Sequence, residues 1–173
     1  MKKIIMQKGV SSSLIISDND VRYMHKAIEI AYLNITNANG GPFGAIVVND
    51  GIIVGTGANS VTSLNDPTAH AEILAIRDAC RNLNTYQLTN CELYSSCEPC
   101  PMCFGAIYWA RLKKLFFACS KEDATNAGFD DSFIYTEIDK PYELRKIQNM
   151  QLLRDESLQV FDAWKRKTDR IEY

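Results

Sequence analysis

Leu93-Tyr94-Ser95-Ser96-Cys97-Glu98-Pro99-Cys100-Pro101-Met102-Cys103, running on through Phe104 to Ala110 and then to Lys114–Cys119, is the stretch on which the fold turns. Leu93 to Ser95 reads as a short strand, Pro101 to Ala110 as a helix that is apolar almost all round, and Lys114 to Cys119 as a second strand. An apolar helix between two strands is a buried crossover, and a crossover lets the strands it joins run parallel. Upstream, Asp66-Pro67-Thr68 opens a helix over about Ala69 to Leu83. Its long residues Ile73, Ile76, Cys80 and Leu83 make one stripe, its alanines pack elsewhere, and Arg77, Asp78 and Arg81 face water. Before it, Ala45–Val48 and Ile52–Val54 are β-branched runs joined by Asp50-Gly51, the pair that a two-residue type I′ turn requires for its positive φ angles. From Asp18, Val21, Met24, Ile28, Ala31 and Ile35 recur at steps of three and four, marking a helix that ends near Asn39-Gly40-Gly41-Pro42. The expected fold is α/β: a mixed, largely parallel sheet with helices on both faces.

Residues 1–18 show no sustained period and read as a leader, partly ordered at most, ahead of a single domain over 19–173. After Tyr142 the chain reads as mixed strand and helix with a charged end. With 46% hydrophobic residues in 173, the chain can build a real core, which argues against a disulfide scaffold in spite of its six cysteines. Net charge is −2 at a pI of about 5.7, so no positive field draws it to nucleic acid or an anionic membrane, and a small substrate suits it better. The N-terminal Met1 to Met6 begins like a signal peptide, but Gln7, Lys8 and Gly9 cut the apolar run short. The longest apolar run, Met102 to Ala110, is far below a membrane span. A cytoplasmic protein with reduced thiols is expected.

His70-Ala71-Glu72 and, after a strand, Pro99-Cys100-Pro101-Met102-Cys103 match the H-x-E and P-C-x-x-C signature of zinc deaminases. A neutral imidazole and two thiolates suit Zn²⁺, and three protein ligands leave a fourth tetrahedral position for water, which is the pattern of a catalytic site. Pro101 is favoured at a first helical position, which puts Cys100 and Cys103 on one face of a helix start where the dipole favours thiolate. Glu72, two residues past His70, is displaced around its helix and serves as the proton shuttle rather than a ligand. A C-x-x-C pair alone would equally suit structural zinc or a redox dithiol. The sharpest alternative is a closed Cys₃His site in which Cys97 joins His70, Cys100 and Cys103, making a structural zinc module with no turnover. Cys80, Cys91 and Cys119 sit in apolar contexts and read as core, as does Trp109, unless it is a dimer contact.

Four segments together, Gly40-Gly41-Pro42-Phe43-Gly44, Asp66 to Glu72, Ser96 to Cys103 and Ala127-Gly128-Phe129-Asp130-Asp131, closely resemble the bacterial guanine deaminases of the cytidine-deaminase-like fold. The resemblance runs from about Asp20 to the C-terminus. It implies a three-layer α/β/α fold with a mixed central sheet, one Zn²⁺ per chain, and a homodimer whose exchanged C-terminal segments each close the partner's active site. The implied reaction is hydrolytic attack on C2 of guanine, with Glu72 moving the protons, to give xanthine and ammonia. Phe43, Asn59, Asp131 and Tyr173 map onto the family's purine-recognition positions. By themselves, Phe43 also suits a core anchor, Asn59 a left-handed loop residue, Asp131 a helix cap and Tyr173 a frayed end. Transfer-RNA adenosine deaminases and cytosine deaminases share the zinc motifs. The Gly128 to Asp131 segment and Tyr173 are the more specific marks, at which plant guanosine deaminases look similar, so base and nucleoside both stay open as substrate. The transfer-RNA reading needs a basic groove, for which Lys165-Arg166-Lys167, diluted by Asp162, Asp169 and Glu172, is the one candidate.

Overall fold

Two glycine-bearing features organise the sheet. β1 (Gly44–Asn49) and β2 (Ile52–Ala58) form the expected hairpin, with Asp50 and Gly51 both at positive φ (47° and 82°) as a type I′ turn demands. Gly57 then lets α3 (Ala71–Leu83) lie directly on β2, because a Cβ there would stand 2.0 Å from the Ala71 carbonyl oxygen. Here the expectation for α3 needs correction. Its alanines Ala71, Ala75 and Ala79 are fully buried within the core cluster on this face of the sheet. Small residues win these positions because backbone and sheet approach too closely for longer ones.

The computed structural model describes residues 15–172, so 1–14 of the leader and Tyr173 lie outside the described residues. α1 (Asp18–Thr36) opens on a capping box between Ser17 and Asp20. The remaining elements follow in order: β1, β2, the short α2 (Val61–Leu64), α3, β3 (Cys91–Cys97), α4 (Pro101–Trp109), β4 (Lys114–Cys119) and α5 (Lys121–Asn126). The sheet runs β2-β1-β3-β4. Alternate β1 residues serve opposite faces: Ala45 and Val47 pack with α3, Leu93 of β3 and Ile107 of α4, while Ile46 and Val48 pack with Ala27 of α1 and Tyr94. That alternation makes three layers, α1 on one face and α3 with α4 on the other.

The sheet is mixed, but it is not largely parallel in its pairings. β1 pairs antiparallel with both β2 and β3, and β3 with β4 is the parallel pair the apolar crossover implied. The physical reason is that β1 lies between β2 and β3 and α3 carries the chain across it. β2, β3 and β4 therefore point one way and β1 the other. α4 is also less buried than its composition suggested, since Phe104, Tyr108 and Trp109 are exposed and only Cys103 and Ile107 are buried. Cys119 likewise is exposed rather than core, because β4 ends the order of described strands, whereas Cys91 is buried and Cys80 partly so.

The expected domain falls into two compact units, one ending at Asp130 and one beginning at Asp131. The second contains α6 (Ser132–Asp139), a 3₁₀ turn (Tyr142–Leu144) and α7 (Arg154–Arg166). No strand forms after Tyr142 among the described residues, contrary to expectation. None of residues 131–172 is buried. Leu158, Phe161 and Trp164, spaced by three along α7, are all exposed.

Candidate metal centre and active site

Two helix starts converge to make the centre. His70 is the N-cap residue of α3 and Cys100 that of α4, both in extended conformation, with Pro101 at the first helical position as anticipated. Cys103, in the first turn of α4, is fully buried. His70 Nδ1 lies 3.6 Å from Cys100 Sγ and 3.5 Å from Cys103 Sγ. All three donor atoms fall within 4.8 Å of one another. Tetrahedral zinc, with Zn–S near 2.3 Å and Zn–N near 2.05 Å, sets S···N edges of about 3.6 Å. The donor set fits the metal in both chemistry and spacing.

The protonation pattern agrees. Cys100 is pulled down to about 4, chiefly by its hydrogen bond with Cys103 and also by His70, against burial. Cys103 is pushed up as the partner in that bond and by burial. A thiol held low beside a second thiol and an imidazole is the protein side of a site for a borderline-soft dication. Cys97 behaves differently: its thiol points to the carbonyl oxygen of Ser120 at 3.5 Å, and burial pushes it up to about 11. It does not belong to the donor cluster. The closed Cys₃His alternative thus lacks its fourth ligand.

Glu72, on the first turn of α3, is almost wholly buried, and burial pushes its carboxyl up. One carboxylate oxygen, Oε2, lies 3.5 Å from Cys103 Sγ on the metal side. The other, Oε1, accepts a hydrogen bond of 3.3 Å from the hydroxyl of Ser95 on β3. Ser95 carried no sequence signal as a site residue, because it sits inside a strand and its contact partner is 23 positions away.

Phe43 and Asn59 belong to the same unit, at the mouth of the β1–β2 hairpin. The Asn59 backbone N–H donates to the Phe43 carbonyl oxygen at 3.0 Å, and the Ser60 N–H donates to the carbonyl oxygen of Ala69, the neighbour of His70, at 2.9 Å. The Asn59 side-chain oxygen accepts from the backbone N–H groups of Gly41 and Val61, each at 3.3 Å. Its conformation is not the left-handed one proposed for a loop residue, since no positive φ occurs there. Buried Asn34 of α1 ties the loop together by donating to the carbonyl oxygens of Gly41 and Asn59, both at 2.8 Å. It too was missed, although an amide one turn from Ala31 on a buried stripe is a readable signal. Phe43 packs partly into the core and meets Phe129 edge-on, centroids 4.9 Å apart at 84°. Asp131 opens the second unit as the N-cap of α6, and its side chain makes no capping bond there. Tyr173 lies outside the described residues.

Comparison with known proteins places these features in context. Residues 17–119 match the model of the cytidine and deoxycytidylate deaminase zinc-binding region. Guanine deaminase of Bacillus subtilis (strain 168) is 53% identical over 155 residues, 90% of this chain and 99% of that protein. The crystal structure of guanine deaminase from Bacillus subtilis superposes with a TM-score of 0.87 at 51% identity, covering 91% of this chain and 99% of that one. A tRNA-specific adenosine deaminase of Buchnera aphidicola subsp. Schizaphis graminum (strain Sg) is 48% identical over 113 residues, 65% of this chain and 74% of its own.

Proposed function

We propose, from the premise that this chain belongs to the cytidine and deoxycytidylate deaminase zinc-binding family, that it hydrolyses guanine to xanthine and ammonia. The observation that carries the reaction class is the buried Glu72 carboxylate set beside a three-donor zinc site. Guanine is favoured as substrate because likeness to the guanine deaminase extends over nine-tenths of the chain, whereas likeness to the tRNA-specific enzyme covers 65%. Net charge of −2 also gives little attraction for a phosphate backbone.

His70, Cys100 and Cys103 would hold the zinc ion, which when bound would supply the Lewis acidity that makes water a usable nucleophile near neutral pH. Glu72 takes the proton from that water, passes it to the ring nitrogen beside C2, and delivers the second proton to the departing amine. One C–O bond forms at C2, one C–N bond breaks, and ammonia leaves. Asn59, with its oxygen committed to Gly41 and Val61, offers its NH₂ group to an acceptor on the purine edge. Phe43, braced by Phe129, offers the apolar surface for the ring. Asp131 and Tyr173 are assigned to the remaining polar edge.

The second unit completes the assignment. A segment whose residues 131–172 all remain unburied, with Phe133, Ile138, Leu152 and Phe161 exposed, lacks a core of its own. A second copy of the chain, exchanging this segment, supplies the missing cover and one zinc site per chain in a homodimer. None of the described helices is long and apolar enough to cross a membrane. Six free cysteines, two of them ligands, suit a reducing compartment such as the cytoplasm.

Ammonia release from guanine, compared with adenine, cytosine, guanosine and an adenosine-bearing tRNA stem-loop, tests the substrate. Guanine is expected to react fastest, and faster inosine formation in the stem-loop would overturn the assignment. Glu72→Gln should keep stoichiometric zinc yet lose at least the roughly 10²- to 10⁴-fold that general acid–base catalysis contributes. Near-normal turnover would remove Glu72 from the mechanism.

A further inference from the structure

We infer that Ser95 is a positioning residue that holds one oxygen of Glu72 in place so that the other alone carries protons. Three observations support this. Ser95 lies on β3, rooted in the middle of the sheet, and is 1% exposed. Its hydroxyl donates to Glu72 Oε1, while its own oxygen accepts the backbone N–H of Cys97 at 3.4 Å. The N–H occupies a lone pair, so the hydroxyl proton is directed to the carboxylate rather than free to rotate.

The two Glu72 oxygens are thus unequal. Oε2 faces Cys103 Sγ, the side on which the metal and its water belong. Once Cys103 is a metal-bound thiolate it has no proton to give Oε2, and the Ser95 contact is the side-chain hydrogen bond that Glu72 retains. A carboxylate tethered at one oxygen keeps the other within reach of both the water and the ring nitrogen, whereas an untethered one rotates about its last torsion and is misplaced for part of the time. Sequence could not show this, because strand alternation says that Ser95 faces α3 but not which atom it meets.

The inference rests on the reading of Glu72 as proton shuttle, and the experiment separates the two. Ser95→Ala fits the cavity with room to spare, and Ser95→Thr restores the hydroxyl. Each is measured for kcat and KM with guanine, zinc content and melting temperature, beside Glu72→Gln. Ser95→Ala is expected to lose about 10- to 100-fold in kcat, the range for one hydrogen bond to a charged group, with KM and zinc content unmoved. Ser95→Thr should recover most of that loss. In the Glu72→Gln background Ser95→Ala should cost little more, because the group it positions is already disabled. An unchanged kcat in Ser95→Ala overturns the inference, as does a fall that comes with lost zinc or appears equally in the Glu72→Gln background. If Ser95→Thr folds with normal zinc content yet recovers nothing, the hydroxyl is not what matters and the inference fails. Near-normal turnover in Glu72→Gln would instead overturn the shuttle reading itself.

Discussion

Asn59 offers the clearest separation of a structural from a recognition role, because its two side-chain atoms do different jobs. The oxygen accepts from the Gly41 and Val61 backbone groups, and the NH₂ group is assigned to substrate. Asn59→Ala removes the acceptor and leaves two backbone N–H groups without it at a position only 8% exposed. Both bonds are long at 3.3 Å, so the loss falls near the low end for unsatisfied donors, about 1–2 kcal/mol together. In a domain of this size that lowers the melting temperature by about 2–8 °C. Asn59→Asp keeps an acceptor for both N–H groups, charge-assisted bonds offset desolvation of the carboxylate, and the fall in Tm should be smaller. It nevertheless loses the donor and sets a negative charge against a purine acceptor. An unpaired substrate acceptor costs about 1–3 kcal/mol, so kcat/KM for guanine should drop about fivefold to 150-fold, with repulsion adding to that. Differential scanning fluorimetry reads the first quantity and a coupled ammonia assay the second. Wild-type kcat/KM in Asn59→Asp would refute the donor role and return Asn59 to a purely structural one.

Two further perturbations test the centre and the assembly. Cys97→Ser should retain one zinc per chain with activity largely intact, whereas Cys100→Ser and Cys103→Ser should lose metal. Elemental analysis after dialysis checks this, and equal loss in all three would restore the closed-site alternative. Deleting residues 171–173 should cripple catalysis without unfolding the chain, since a lid excludes water more than it builds a core. Co-expressing that deletion with full-length Glu72→Gln should recover roughly a quarter of wild-type activity, because half of randomly paired dimers are mixed and each holds one complete site in two-fold symmetry. A mixture no more active than the separate variants would sink the exchange of C-terminal segments.

The elements legible in the sequence were those with local causes. Asp50-Gly51 announces its turn because only certain residues tolerate positive φ at both positions. The periodicity of residues 21–35 marks α1, and Pro101 marks the start of α4. His70, Cys100 and Cys103 were readable as a set because an imidazole and two thiols at two helix starts have few other uses, and the position of Glu72 beside them because its offset from His70 is short. The short helices α2 and α5 carry little periodic signal, although Ser120 ahead of α5 and Asp123 within it form a capping box whose residue types are legible in the sequence.

Features that depend on contacts between distant parts of the chain emerge only in the fold. Strand order is one such matter. Side-chain alternation within β1 is the same whichever neighbours it has, so the insertion of β1 between β2 and β3 appears only once α3 has crossed it. The exposure of α4 aromatics is another, because composition records how apolar a helix is and not how much partner surface its own chain provides. Exclusion of Cys97 from the centre rests on the direction of one thiol toward Ser120, and the roles of Asn34 and Ser95 rest on bonds to residues far along the chain. Ligand chemistry and local conformation are legible in the chain because they follow from residue type and spacing over a few positions. The fold decided which of the candidate groups meet, since that depends on how segments pack across a sheet.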